Sequence, residues 1–75
     1  MKEKYRDNFV KIGKNLRVAR KGLGLSQEEL AARCETVNAA KISKMENARE
    51  DYNLATLLEV CDALEISVQK IMDGL

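Results

Sequence analysis

The 75-residue chain has no histidine, no proline, two cysteines and four glycines. Without histidine it lacks the commonest metal ligand and the commonest general acid–base group, which argues against an enzyme and against a metal centre. It has no glycine-rich loop of the kind that cradles a phosphate, so no cofactor is expected. Cys34 and Cys61 fall on positions that face inward on helices. Isolated and without histidine, they read as small buried hydrophobes rather than as a disulfide or a metal pair. The missing proline and scarce glycine, beside abundant Ala, Leu, Glu and Lys, favour helices and give no hairpin signal. No apolar run approaches the length of a membrane span and no signal peptide is recognisable, so a soluble cytoplasmic protein without a membrane partner is expected.

Charge is what the chain has in plenty, and its net value of +1 hides a gradient. Residues 1–25 carry eight Lys or Arg against two acids, a balance of +6. Residues 26–50 balance at −1 and residues 51–75 at −4, with Lys70 the one base of the last third. Such polarity suits an anionic partner for one part of the molecule, and it equally suits a helix that carries many solvated lysines.

Hydrophobic spacing divides the chain into five helices. Tyr5, Phe9, Ile12, Leu16, Ala19 and Leu23 recur at steps of four and three, which predicts one amphipathic helix over about residues 4–21. Lys11, Lys14, Arg17, Arg20 and Lys21 lie on its other faces, and Gly22 and Gly24 end it. Ser26 with Glu29 forms a capping box for a second helix, about 27–34. Asn38 caps a third, about 39–47, whose apolar spine is Val37, Ile42 and Met45. A polar loop over 48–52 leads to Asn53, which caps a fourth helix with Leu54, Leu57, Leu58, Cys61 and Leu64 as its core stripe. Ser67 caps a short fifth helix containing Val68, Ile71 and Met72. Connections this short leave no linker, so residues 1–75 form a single all-α domain.

Residues 26–47 carry the functional signal. Two short helices joined by a tight turn, with Lys41 and Lys44 one turn apart on the outer face of the second, suggest a helix-turn-helix that docks on DNA. Val10, Val18, Val60, Val68, Met72 and Leu75 exceed the needs of one small core. They are either scattered surface residues or part of a homodimer patch built from Val68, Ile71, Met72 and Leu75.

The stretches IGKNLRVARKGLGLSQEELA (12–31), ISKMEN (42–47) and LATLLEVCDALEISVQKIM (54–72) resemble a Cro/phage-repressor-type helix-turn-helix domain, the Xre family. The likeness covers about residues 9–72. It implies a compact five-helix bundle of the lambda-repressor-like type, and a transcriptional regulator binding a pseudo-palindromic operator as a homodimer. Small members of the family include phage repressors, controller proteins of restriction–modification systems, and antitoxins. By position, Gln27 matches a glutamine that binds a DNA phosphate. Ala39, Ala40 and Lys44 match base-reading positions, with Lys41 and Asn38 beside them. Asn47 and Arg49 match positions that clamp phosphate, and Arg20 with Glu46 matches an internal salt bridge. The spacing from Leu30 to Ile42 is one residue longer than is usual in the family, which puts an extra residue in the turn at Glu35-Thr36. Ala48 stands where a glycine is usual, with Asn47 the expected left-handed substitute. Ala39 and Ala40 can offer a base no hydrogen bond, so readout would rest on Lys44, backbone contacts and DNA shape. The alternative is a helix-turn-helix protein-interaction module, antitoxin-like, with weak or no specific DNA binding.

Overall fold

The caps written into the chain set where each helix begins. The computed structural model describes all residues 1–75. A single 3-10 turn, Glu3–Tyr5, leads into α1 (Arg6–Gly22), followed by α2 (Gln27–Ala32), α3 (Ala39–Glu46), α4 (Leu54–Ala63) and α5 (Val68–Ile71). Ser26, Asn38, Asn53 and Ser67 each accept a hydrogen bond from the backbone N–H three residues on. Each bond satisfies a donor that a helix start otherwise leaves orphaned. At Ser26 the box closes both ways, since the Ser26 N–H donates to Glu29 Oε1 at 2.9 Å. There are no strands, and the five α-helices pack as one bundle: α1 and α2 against α3, and α5 against α4 and α1.

Three helices stop by the same device. The N–H groups of Leu25, Arg49 and Ile66 reach back to the carbonyls of Arg20, Lys44 and Cys61 at 3.2, 2.9 and 3.1 Å. The residue before each takes the left-handed conformation: Gly24 (φ 71), Ala48 (φ 53) and Glu65 (φ 57). Asn47 keeps φ −99, so the left-handed position after α3 belongs to Ala48 rather than to the asparagine expected there. The geometry requires it, because this turn places the left-handed residue one position beyond the cap. Left-handed backbone costs a non-glycine residue about 1–2 kcal/mol, and burying the Ala48 methyl (2% exposed) returns about 0.8 kcal/mol of that.

Ile12, Leu16, Leu30, Val37, Ile42, Met45, Leu57, Val60, Cys61, Leu64 and Ile71 form one contiguous core. Several expectations change here. Tyr5 and Leu23, the residues that flank α1, lie 47% and 44% exposed, so the buried stripe of the helix is shorter than its apolar spacing. α4 is turned relative to its expected stripe: Val60 is buried at 1%, while Leu54 and Leu58 are 63% and 48% exposed. Its apolar arc is wider than the face it buries, so spacing alone selected the wrong edge. Ile71 is fully buried and therefore no part of a surface patch. The Asn15 amide donates to the Ile71 and Asp73 carbonyls at 2.7 and 3.0 Å, and Lys11 Nζ donates to the Gly74 carbonyl at 3.0 Å. These bonds satisfy the open end of α5 and pull it onto α1, and Val68 and Met72 are packed against the core with it.

Both cysteines are free, and burial pushes their thiols above the ordinary value. Phe9 and Tyr52 meet edge to face at 5.2 Å, a favoured aromatic geometry. At Gly13 the backbones of α1 and α3 come close together. A Cβ there would lie 2.7 Å from the Met45 carbonyl oxygen and would strike the Glu46 carbonyl oxygen as well. A helix interior ordinarily gains up to about 1 kcal/mol when glycine becomes alanine. Here the obstacle is backbone, which cannot step aside, and overpacking of this kind costs about 1–3 kcal/mol. Gly13→Ala should therefore lower stability, read as a fall in the urea midpoint at unchanged m-value; a raised midpoint would refute the close packing of α1 on α3.

Candidate nucleic-acid interface

The aim of α3 is fixed by charge buried beneath it. The Glu46 carboxylate, at the last residue of α3, accepts from Arg20 Nε at 2.7 Å and from Arg20 Nη2 at 3.0 Å. Gln27 Nε2 of α2 donates to the same carboxylate at 3.2 Å, and Arg17 Nε does so at 3.5 Å. Arg20 Nη1 continues to the Leu25 carbonyl at 2.8 Å, so one carboxylate and one guanidinium tie α1, α2 and α3 together. Burial by itself would raise the Glu46 pKa. The hydrogen bonds from Arg20 and Gln27 and the Arg20 charge outweigh it, so the carboxyl sits below the usual range. Arg20 is held above its ordinary value, chiefly by its hydrogen bond to Glu46.

The turn between α2 and α3 is held from outside. Glu59 of α4 accepts from the Thr36 N–H at 2.9 Å, and also from the Glu35 N–H and the Thr36 hydroxyl. Thr36 is thus the main reason the Glu59 carboxyl lies below its usual range. The additional turn residue expected at Glu35-Thr36 falls where this carboxylate ties down two consecutive N–H groups.

On α3 the core-facing residues are Ile42, Met45 and Glu46. The opposite face exposes Ala40, Lys44 and Asn47, with Ala39, Lys41 and Ser43 half-buried along its edges. The side-chain oxygen of Asn38 is committed to capping, accepting from the Lys41 N–H at 2.8 Å. Gln27 leans onto Glu46, which leaves its end at the junction of α2 and α3. Asn47 donates to the Ser43 carbonyl at 2.8 Å and accepts from Arg17 Nη2 at 3.2 Å. Arg49 is exposed just beyond the helix. Lys41 Nζ lies 2.6 Å from Glu50 Oε1, and Lys44 Nζ lies 3.6 Å from Glu50 Oε2. The hydrogen bond from Lys41 is the main cause of the lowered Glu50 pKa.

The structure therefore gathers Gln27, Ala39, Ala40, Lys41, Lys44, Asn47 and Arg49 around one convex face, with Asn38 at its start. It adds residues that sequence spacing passed over. Arg17 sits one turn before Arg20 on α1, and that spacing was a usable sign that both meet α3. With Lys14 it lines a shallow surface depression shared with Asn47 and Ala48, bringing α1 charge to the end of α3. Ser43 lies on the same face through helical phase alone. Glu50 carried no periodic signal, since only the turn at Ala48 brings it back over the lysines.

A short helix, a braced turn and a second helix presenting lysine and asparagine outward define a helix-turn-helix of the DNA-binding class. The family model described as a helix-turn-helix domain matches residues 11–71, and the chain belongs to that family. A search of curated proteins finds no match. No helix is long and apolar enough to cross a membrane.

Removing one member of a buried ion pair strands the other charge and typically costs about 3–5 kcal/mol. A domain of this length has on the order of 4–11 kcal/mol in total. Arg20→Ala should accordingly remove a large part of that stability, read as a marked fall in the melting temperature by circular dichroism. The double variant Arg20→Met/Glu46→Leu should melt higher than Arg20→Ala alone, since it leaves no buried charge. Because the Glu46 pKa is lowered on folding, its contribution is full above the unfolded value of about 4.3 and disappears as pH falls through the folded value. Glu29, lowered by the Ser26 backbone hydrogen bond, Glu50 and Glu59 act in the same direction.

Proposed function

We propose that this protein is a sequence-specific transcriptional regulator of the Cro/phage-repressor type, without catalytic activity or cofactor, acting in the cytoplasm as a homodimer on a pseudo-palindromic operator. The observation that carries this reading is the convex face of α3. Lys44 and Asn47 stand free of the core there, braced from beneath by Glu46, with the α1 cations Lys14 and Arg17 at its end. α3 enters the major groove, and Lys44 addresses guanine O6 and N7. Gln27, Asn47, Arg17 and Arg49 contact phosphates and fix the register without reading sequence. Ala39 and Ala40 give van der Waals contact only, so DNA shape and deformability supply part of the selectivity.

Two-fold pairing would set the recognition helices about 34 Å apart, one turn of DNA. With Ile71 internal, the C-terminal apolar surface reduces to Leu75 and the half-buried Val68 and Met72, while Leu54 and Leu58 on α4 offer a second. Sedimentation at micromolar concentration should show a dimer that Leu75→Glu or Leu54→Glu converts to monomer, and a monomer for the unaltered protein would remove the dimer from the reading.

One observation favours a second reading, a protein-interaction module. The lysines of α3 are already paired with Glu50, and two alanines occupy base-reading positions. Selection of bound duplexes from a random pool separates the two readings, because a regulator enriches one sequence and an interaction module enriches none. On the enriched sequence Lys44→Ala should cost about 1–3 kcal/mol of discrimination against a changed guanine. An equal loss on random DNA would reduce Lys44 to a phosphate contact.

A further inference from the structure

Glu50 is an acid set against the face that the preceding reading assigns to DNA. Its two carboxylate oxygens serve two different lysines of α3, at 2.6 Å to Lys41 and 3.6 Å to Lys44. Lys41 is further fixed by the Asp51 carbonyl at 3.4 Å and is only 29% exposed, whereas Lys44 is 51% exposed. The placement is structural in origin. The left-handed turn at Ala48 reverses the chain after α3, and the Arg49 N–H bonds back to the Lys44 carbonyl at 2.9 Å. The next residue then lies back over the helix it has just left. Lys41 and Lys44, with Thr36, Asn38 and Thr56, line one open groove of about 310 Å³, and the Glu50 side chain beside them is 36% exposed, so all three groups are at the surface.

A lysine that meets only a phosphate binds every sequence alike, and each phosphate it neutralises adds about 0.9 to the salt dependence of binding. A carboxylate already pairing that lysine repels the phosphate and must be displaced before the contact forms. That cost falls on every sequence alike; it is offset only on a duplex where the lysine also gains guanine O6 and N7, so the carboxylate weakens binding most where phosphates are the sole reward. Resting on the DNA-binding reading, we propose that Glu50 is a specificity-determining residue, which suppresses sequence-independent binding by holding Lys41 and Lys44 back from the DNA backbone.

The test compares the wild-type protein with Glu50→Gln on the enriched duplex and on a scrambled duplex, across a salt series. Removing the carboxylate should strengthen binding to the scrambled duplex about tenfold near 0.15 M salt and steepen its log–log salt slope by about 1–2, the release of one or two lysines. The preference for the enriched duplex should shrink correspondingly. Asp62→Asn changes net charge equally on the exposed side of α4 and should leave the slope as it was. In a Lys41→Gln/Lys44→Gln background, Glu50→Gln should have no effect on the slope. A wild-type protein that prefers one sequence while Glu50→Gln leaves slope and preference unchanged overturns this role for Glu50 and leaves the regulator reading intact. A steepened slope with no sequence preferred by the wild type sustains the restraint on the lysines and overturns the regulator. Failure of the wild type to bind any duplex at any salt overturns both.

Discussion

A single carboxylate organises this molecule. Glu46 is the last residue of α3, and taking its charge out of water is unfavourable unless every oxygen lone pair meets a donor. Arg20 supplies two, Gln27 one and Arg17 a weaker fourth, which is why three helices converge on one point. The demand propagates: α1 must come close enough for Arg20 to reach, and only glycine at position 13 permits that approach beside the Met45 and Glu46 carbonyls. Buried charge contributes little net stability compared with well-packed apolar residues. What this pair contributes is direction, because misaligned helices would leave an ion without its partner.

Charge is arranged differently on the two sides of α3. Underneath, the Glu46 and Arg20 side chains are buried and their pairing is screened little by salt; on top, Glu50 is half-exposed and its pairs are screened more. The same helix is thus held rigidly from below and restrained loosely from above. Sequence-level charge counting shows the α1 surplus clearly and shows nothing of this division. Glu46 and Glu50 are both acids near the end of one helix, and their opposite environments arise from the turn between them.

Features that a residue dictates to its near neighbours were legible in the sequence. Ser26, Asn38, Asn53 and Ser67 all start helices, since capping is decided within three residues. Five helices and the helix-turn-helix followed from spacing for the same reason. The errors lie where tertiary contact selects among equivalent local patterns. α4 offers more apolar residues than one face can bury, so spacing favours Leu54 and Leu58 for the core and leaves Val60 as surplus, whereas packing buries Val60. α5 is too short for its periodicity to show that Ile71 faces inward, and its carbonyl is tied to α1 by Asn15. Asn47 was the better left-handed residue by propensity, yet the hydrogen-bonded turn required that conformation of Ala48. Arg17, Glu50 and Glu59 escape a sequence reading because their partners lie across helix boundaries, and Ser43 because only helical phase brings it to the face.

The tie from Glu59 to the turn has a consequence for what counts as the portable unit. Here two of the N–H groups that shape the turn are anchored by a side chain more than twenty residues downstream. A graft of residues 26–47 would carry the letters of the motif without the angle between its helices. The transplantable piece runs from α1, which supplies Arg20, through α4, which also bears the exposed Leu54 and Leu58. In this protein the angle at which α3 is presented and the exposed apolar surface of α4 are inherited together.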